Sequence, residues 1–239
     1  MIYSAILAAG FGTRMHRQDL PKPFLPLGSK PIIIHTLEQF CVNPNVDCII
    51  IVTADTWRTY AEDLIRKYNI FDKDITVIAG GSSKTESIEL VSEYILANKA
   101  ITNEDIIITH DAIRPFVTQR IINDNIEVAR AYDASTTVIT TNDTIVISTD
   151  EVKMDEVPHK YQMFAEQTPQ TFKLPDLVEM FTKAKKENIK FSDETSIARL
   201  FLKFGGEMRL VQGEYSNMKI INPYDLEIAN ALLAESEKK

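Results

Sequence analysis

Along most of the chain, short runs of β-branched residues alternate with stretches of helical spacing. Residues 2–8 predict a buried strand that runs directly into glycines. Residues 48–52 (Cys-Ile-Ile-Ile-Val), 75–79 and 105–109 predict three more strands. Between them, 32–40 carries Ile33, Leu37 and Phe40 on one helical face, with Pro31 suited to the first turn. Helical spacing returns at 59–68 and 87–98. Apolar strands with helices between them indicate βαβ units, so the expected fold is α/β, a doubly wound and mostly parallel sheet.

The rhythm breaks between Thr136 and about Phe164. Residues 137–141 and 144–148 are β-rich, separated by Asn142-Asp143 and followed by a charged stretch at 149–156. With no helix between them, they predict a projecting β-arm of about 137–163. Helices are expected again at 174–187 and 194–204, strands at 208–211 and 218–221, and a closing helix at 223–235. No linker-like stretch or internal repeat interrupts the chain, so 1–239 is expected to form a single domain with one appendage.

Charge narrows the function. Lys plus Arg number 26 against 34 Asp plus Glu, a formal net charge of -8. Without a basic run, the chain is not expected to bind nucleic acid. Anionic substrates would have to be met by a few cations focused in one place. No run approaches the ~20 apolar residues of a membrane span, and the first residues lack a basic leader, so the expected compartment is the cytoplasm. Cys41 and Cys48 fit no metal or redox spacing and are expected to be reduced packing residues.

The glycines after the first strand are the first candidate site. Leu7-Ala8-Ala9-Gly10-Phe11-Gly12-Thr13-Arg14-Met15 stands where backbone amides at a strand's carboxyl end can receive a phosphate. A dinucleotide fingerprint would need glycine where Met15 stands, and a P-loop would need Gly-Lys-Ser/Thr; both fail. What remains is Gly-x-Gly-x-Arg with Lys22 eight residues beyond Arg14, framed by Pro21 and Pro23, which stiffen the approach of Lys22. Arg14 and Lys22 could clamp one polyphosphate; a plain glycine turn with two solvated cations is the alternative.

This segment resembles the signature of nucleotidyltransferases that join a phosphate-bearing substrate to a nucleotide. The rest resembles their cytidylyltransferase branch, which holds the 2-C-methyl-D-erythritol 4-phosphate and ribitol-5-phosphate enzymes. The matching segments are Gly80-Gly81, Thr109-His110-Asp111-Ala112-Ile113-Arg114-Pro115-Phe116, Asp143-Thr144-Ile145, Gln167-Thr168-Pro169-Gln170-Thr171-Phe172 and Asn217-Met218-Lys219-Ile220. They occur in family order over nearly the whole chain. The resemblance implies a Rossmann-like, GT-A-like nucleotidyltransferase fold and the attack of a substrate phosphate on the α-phosphorus of CTP, releasing pyrophosphate.

Several roles follow from the resemblance. Arg14 and Lys22 would hold the triphosphate and Lys219 the α-phosphate, as the catalytic cations. Ala8, Ala9, Gly10, Phe11, Gly12 and Thr13 would line the nucleotide, with Gly80, Gly81, Ser82 and Ser87 receiving cytosine and ribose. An N-cap is the other reading of Ser87. Asp111 would face the nucleotide and Mg²⁺, or brace Arg114 in its loop. Arg114, Thr144, Lys160 and Thr168 would meet the acceptor, and the arm would form a homodimer. His110 is expected to be structural, because the attacking phosphate is already an anion. The chain departs from the family at Ser82 (usually acidic), Lys84 and Lys160 (usually arginine), and Pro23 (usually glutamine).

Segments 109–116, 167–172 and 213–217 look closer to the ribitol-5-phosphate enzymes, and 192–196 closer to the methylerythritol enzymes. Ribitol 5-phosphate is therefore the expected acceptor and methylerythritol phosphate the alternative. Sugar-1-phosphate nucleotidyltransferases share the glycine motif but lack the Thr-Pro-Gln and Asn-x-Lys segments. A non-catalytic nucleotide-binding module would be favoured by loss of Arg14, Lys22 or Lys219, and all three are present.

Overall fold

The computed structural model of the chain describes residues 1–10, 20–191 and 196–236. Its centre is a seven-stranded sheet built from β1 (Ile2–Leu7), β4 (Cys48–Thr53), β5 (Asp74–Ala79), β6 (Ile106–Asp111), β7 (Ala134–Thr140), β8 (Phe164–Lys173) and β9 (Arg209–Gln212). The order is β5-β4-β1-β6-β8-β7-β9. β8 runs antiparallel to both neighbours, and all other pairs are parallel. A two-stranded ribbon, β2 (Pro26–Leu27) with β3 (Lys30–Pro31), sits apart from it. The sheet is thus mostly parallel, as expected.

Alternation along the strands divides the core into two layers. Ile2 and Ile6 of β1, with Ile49, Ile51, Ile106 and Ile108, join the apolar faces of α1 (Ile32–Cys41), α2 (Arg58–Lys67) and α4 (Gln119–Tyr132). Tyr3 and Ala5, with Ile50, Val52, Ile107 and Phe172, join α3 (Lys84–Asn98), α5 (Leu174–Lys186) and α6 (Ile197–Lys203). Each fully buried isoleucine or phenylalanine adds about 1.5–3 kcal/mol of burial, so both layers are well driven. The closing helix α7 (Pro223–Ser236) covers the small ribbon through Leu27, Ile32, Ile220 and Ala229. Cys41 and Cys48 are free, buried and on opposite faces, and burial pushes the Cys41 thiol up to about 11.

Four expectations change. Helix α4 occupies a stretch to which the sequence pattern assigns no element, with Thr118 accepting from Ile121 N–H at its start. β8 is a central strand where the sequence shows a polar, proline-containing motif. Residues 137–140 belong to the sheet, and the arm is shorter: 144–148 is no strand and makes one isolated bridge, Ile147 to Glu156. Two exposed strands alone gain too little to form a ladder; local backbone amides donating to the Asp150 and Asp155 carboxylates shape the arm instead. Residues 218–221 also form no strand, since their neighbour is the turn after β6 and Ile220 N–H finds Ile113 O alone (3.0 Å). Among the described residues no helix is long and apolar enough to cross a membrane.

Candidate active site

The parallel strands deliver their carboxyl ends to one edge, where ligands of such sheets collect. Ala8 N–H continues the β1 ladder to Val52 O (2.7 Å), and Gly80 N–H that of β5 to Thr53 O (2.8 Å). A Cβ on Gly80 would lie 2.7 Å from Ala9 Cβ and 3.0 Å from Ser87 Oγ, so only glycine lets the two loops close together here. Gly10 is exposed.

Loop 80–83 is held by the first turn of α3. Ser83, not Ser87, is the N-cap and accepts from Glu86 N–H (3.1 Å). Ser87 is buried one turn later, where its hydroxyl accepts Gly81 N–H (3.1 Å) and donates to Ser83 O (2.9 Å). Both of its bonds are spent on loop shape. The Glu86 carboxylate accepts from the hydroxyl and amide of Ser82, which hold it below its ordinary pKa.

At the end of β6, one carboxylate gathers three cations. Asp111 Oδ1 lies 3.0 Å from Lys84 Nζ, and Oδ2 lies 3.2 Å from Lys219 Nζ and 3.3 Å from Arg114 Nε. Burial alone would raise the Asp111 pKa, but Lys84, Lys219 and Arg114 together hold it well below the carboxylate range. Asp111 and Arg114 are buried, whereas the two lysines are more than a third exposed. The cluster therefore carries two surplus positive charges with a solvent-facing side, which is the electrostatics of an anion site. The sequence marks Lys84 only as a departure from the family's arginine and assigns it no role, because a lysine at a helix start looks solvated.

A second layer of hydrogen bonds fixes this cluster. Asp111 N–H donates to Thr168 Oγ1 (3.1 Å), and Thr168 lies 3.1 Å from His110 Nδ1. His110 Nε2 lies 3.1 Å from Arg114 O. Arg114 Nη1 donates to Asn217 O (2.8 Å), while Asn217 Nδ2 donates to Gln167 Oε1 (3.0 Å) and Thr168 O (2.9 Å). Thr168 is available because the β7–β8 register shifts between Thr136 and Val138, freeing residues 167–169 from the ladder. Burial pushes the His110 pKa down to about 3, so its imidazole is neutral. Arg114 and Thr168 are both turned inward here.

Other candidates lie elsewhere. Lys22 opens a short 3-10 turn, Lys22–Phe24, anchored by buried Phe24 against Trp57 (5.7 Å) and Tyr60 (5.2 Å). Thr144 and Lys160 are on the arm, with Lys160 Nζ donating to Asn142 O (2.6 Å); among the described residues neither bonds to the Asp111 cluster. Phe11, Gly12, Thr13 and Arg14 lie outside the described residues.

A metal was implied near Asp111. Among the described residues, no group of three or more His, Cys, Asp or Glu could cage one. A single carboxylate still suits Mg²⁺, which keeps waters and takes most ligands from substrate phosphates. Both Asp111 oxygens are engaged by Lys84, Lys219 and Arg114, so the ion would have to come with the phosphates of a nucleotide, which offset that positive charge and supply most of its ligands.

A mostly parallel sheet with a cationic cluster at its carboxyl edge defines an α/β nucleotidyltransferase. The family model for IspD, 2-C-methyl-D-erythritol 4-phosphate cytidylyltransferase, matches residues 2–235, and the chain belongs to that family. It is a cytidylyltransferase, of the EC 2.7.7 class. Among solved structures it is similar to 4-diphosphocytidyl-2C-methyl-D-erythritol synthase from Anaerococcus prevotii DSM 20548, at 26% identity over 98% of both chains, TM-score 0.80. The 2-C-methyl-D-erythritol 4-phosphate cytidylyltransferase of Francisella tularensis is also 26% identical, covering 96% of this chain and 98% of that one, TM-score 0.76. The Thermus thermophilus enzyme, 23% identical over 96% of this chain and 98% of that one (TM-score 0.73), shares the fold.

Proposed function

We propose that this chain transfers the cytidylyl group of CTP to the phosphate of 2-C-methyl-D-erythritol 4-phosphate. The observation that carries the transfer is the Asp111 cluster, whose two surplus charges face solvent at the sheet edge. The family match and the two 26%-identical relatives support methylerythritol phosphate as acceptor, where the sequence segments alone favoured ribitol 5-phosphate. That preference for ribitol finds no support among these relatives.

A phosphate oxygen of the acceptor attacks the α-phosphorus, a P–O bond forms, and the bond to the pyrophosphate oxygen breaks. No proton need be abstracted, so the protein's task is alignment and charge neutralisation. Lys219 neutralises the α-phosphate, while Arg14 and Lys22 hold the leaving pyrophosphate. The amides of Ala9 and Gly10, with Phe11, Gly12 and Thr13, receive the phosphates, whereas Ala8 N–H stays in the β1 ladder on Val52 O and lines the site only through its place in the chain. Gly80, Gly81 and Ser82 receive the nucleoside, Ser87 keeping their loop in shape. Asp111 would face Mg²⁺, which when bound offsets phosphate charge. On the arm, Thr144 and Lys160 meet the acceptor phosphate; lysine there lacks the bidentate fork of arginine. The arm's exposed Ile145, Val146, Ile147, Val152 and Tyr161 favour pairing of two copies, each completing the other's acceptor site.

The test is pyrophosphate release with CTP, Mg²⁺ and a panel of methylerythritol 4-phosphate, ribitol 5-phosphate and glycerol 3-phosphate. The highest kcat/KM is expected with methylerythritol 4-phosphate. Preference for ribitol 5-phosphate would overturn the acceptor and leave the class intact; silence with every acceptor would overturn the transfer.

A further inference from the structure

We propose that His110 is a positioning residue for this transfer, fixing Asp111 and Arg114 through Thr168 so that the cation cluster keeps its geometry. The proposal rests on the function proposed above. His110 is fully buried, and its Nε2 faces the Arg114 carbonyl at 3.1 Å. A carbonyl can only accept, so Nε2 carries the hydrogen and Nδ1 is left as an acceptor. The Thr168 hydroxyl, 3.1 Å from Nδ1, must then donate to it, and its oxygen accepts Asp111 N–H at 3.1 Å. The bonds run in one direction, from Asp111 N–H through Thr168 and His110 to Arg114 O.

This chain closes on the two residues whose side chains form the buried ion pair. Arg114 N–H also donates to Asp111 O (3.0 Å), so the 111–114 turn is tied at both ends. Because the same Asp111 carboxylate holds Lys84 and Lys219, a slip of its backbone displaces both lysines. Such a displacement, even of ~1 Å, can cost about 10²-fold in rate. His110 touches neither lysine; it acts through Thr168, the Arg114 carbonyl and the turn.

Two substitutions separate the halves of the relay. Asparagine reaches only the Nδ1 position, where its Oδ1 can accept from Thr168. Glutamine reaches the Nε2 position, where its amide can donate to Arg114 O. Because Asp111 carries the two lysines and the Arg114 turn keeps its own bond to Asp111 O, the Thr168 half weighs more. His110→Asn is therefore expected to keep kcat within about tenfold of wild type and His110→Gln to lose about 10²-fold, with KM for CTP little changed in both. A role in packing alone predicts the reverse order, since glutamine is nearer histidine in volume, and that order would overturn the proposal. If the His110 variants fail to fold, Thr168 carries the test: Thr168→Val should lose kcat and Thr168→Ser should restore it. Equal activity of those two would overturn the relay. Nitrogen-15 NMR of the imidazole gives a readout independent of turnover: hydrogen on Nε2, with an Nδ1 resonance that moves in Thr168→Val. Hydrogen on Nδ1 would overturn the relay, whereas an inactive wild type with the expected spectrum would overturn only the transfer.

Discussion

Asp111→Asn isolates the energetics of the cluster. The variant keeps the shape and the backbone bond to Thr168 but removes the negative charge that the three cations share. Lys84 and Lys219 have side chains 40% and 37% exposed, so they can turn to water, and each pair is worth at most about 1 kcal/mol. Arg114 cannot: its side chain is 10% exposed, and among the described residues its remaining side-chain hydrogen bond is to Asn217 O. Breaking a buried pair on one side costs roughly 3–5 kcal/mol, and the surviving bond to Asn217 places this variant near the lower end. For a chain of this size that lowers Tm by roughly 6–12 °C, read by calorimetry at pH 7.

The sign of the pH dependence follows. The folded pKa of Asp111 is depressed, so its stabilisation is fully present above the unfolded value of about 3.9 and is lost as pH falls towards the folded value. The gap between wild type and variant should be constant from pH 8 to 5 and narrow by about 1 kcal/mol at pH 3. Equal melting at pH 7, or a gap that widens in acid, would refute the reasoning.

Other outcomes are expected. Lys22→Ala and Lys219→Ala should each lower turnover about 10²–10³-fold while leaving the fold intact by circular dichroism; near-normal turnover would remove that residue from the mechanism. CTP should be preferred over UTP, ATP and GTP, and excess chelator should abolish activity. Ser83→Ala should destabilise by about 1 kcal/mol in urea through loss of the α3 cap. Sedimentation should give a dimer, and mixing Lys22→Ala with Lys160→Ala under subunit exchange should restore activity. Verified exchange without recovery would rule out shared sites.

The parallel half of the sheet was legible because burial on both faces writes itself locally as Ile-Ile-Ile runs, such as residues 49–51 and 106–108. Helix α4 is equally written, in Ile121, Ile122, Ile126 and Ala129 after the Thr118 cap, although no element was expected there. β8 was not legible: Glu166-Gln167-Thr168-Pro169-Gln170 is polar, and a proline argues against a central strand. It is central because its polar side chains bond to each other and to β7, as Gln170 and Thr136 do on Glu166.

For the site, residue type and local frame pick out the glycines and Lys22, and the family resemblance adds Asp111 and Lys219 one by one. Their meeting could not. Lys84, Arg114 and Lys219 come from a helix start, a turn and an extended segment, and only the strand order brings all three onto one carboxylate. The inward commitment of Ser87, Arg114 and Thr168 is likewise tertiary, because a hydroxyl or guanidinium takes its role from whichever buried polar groups need partners. Sequence specifies which groups are present; burial decides which are spent on the fold and which are left for a substrate.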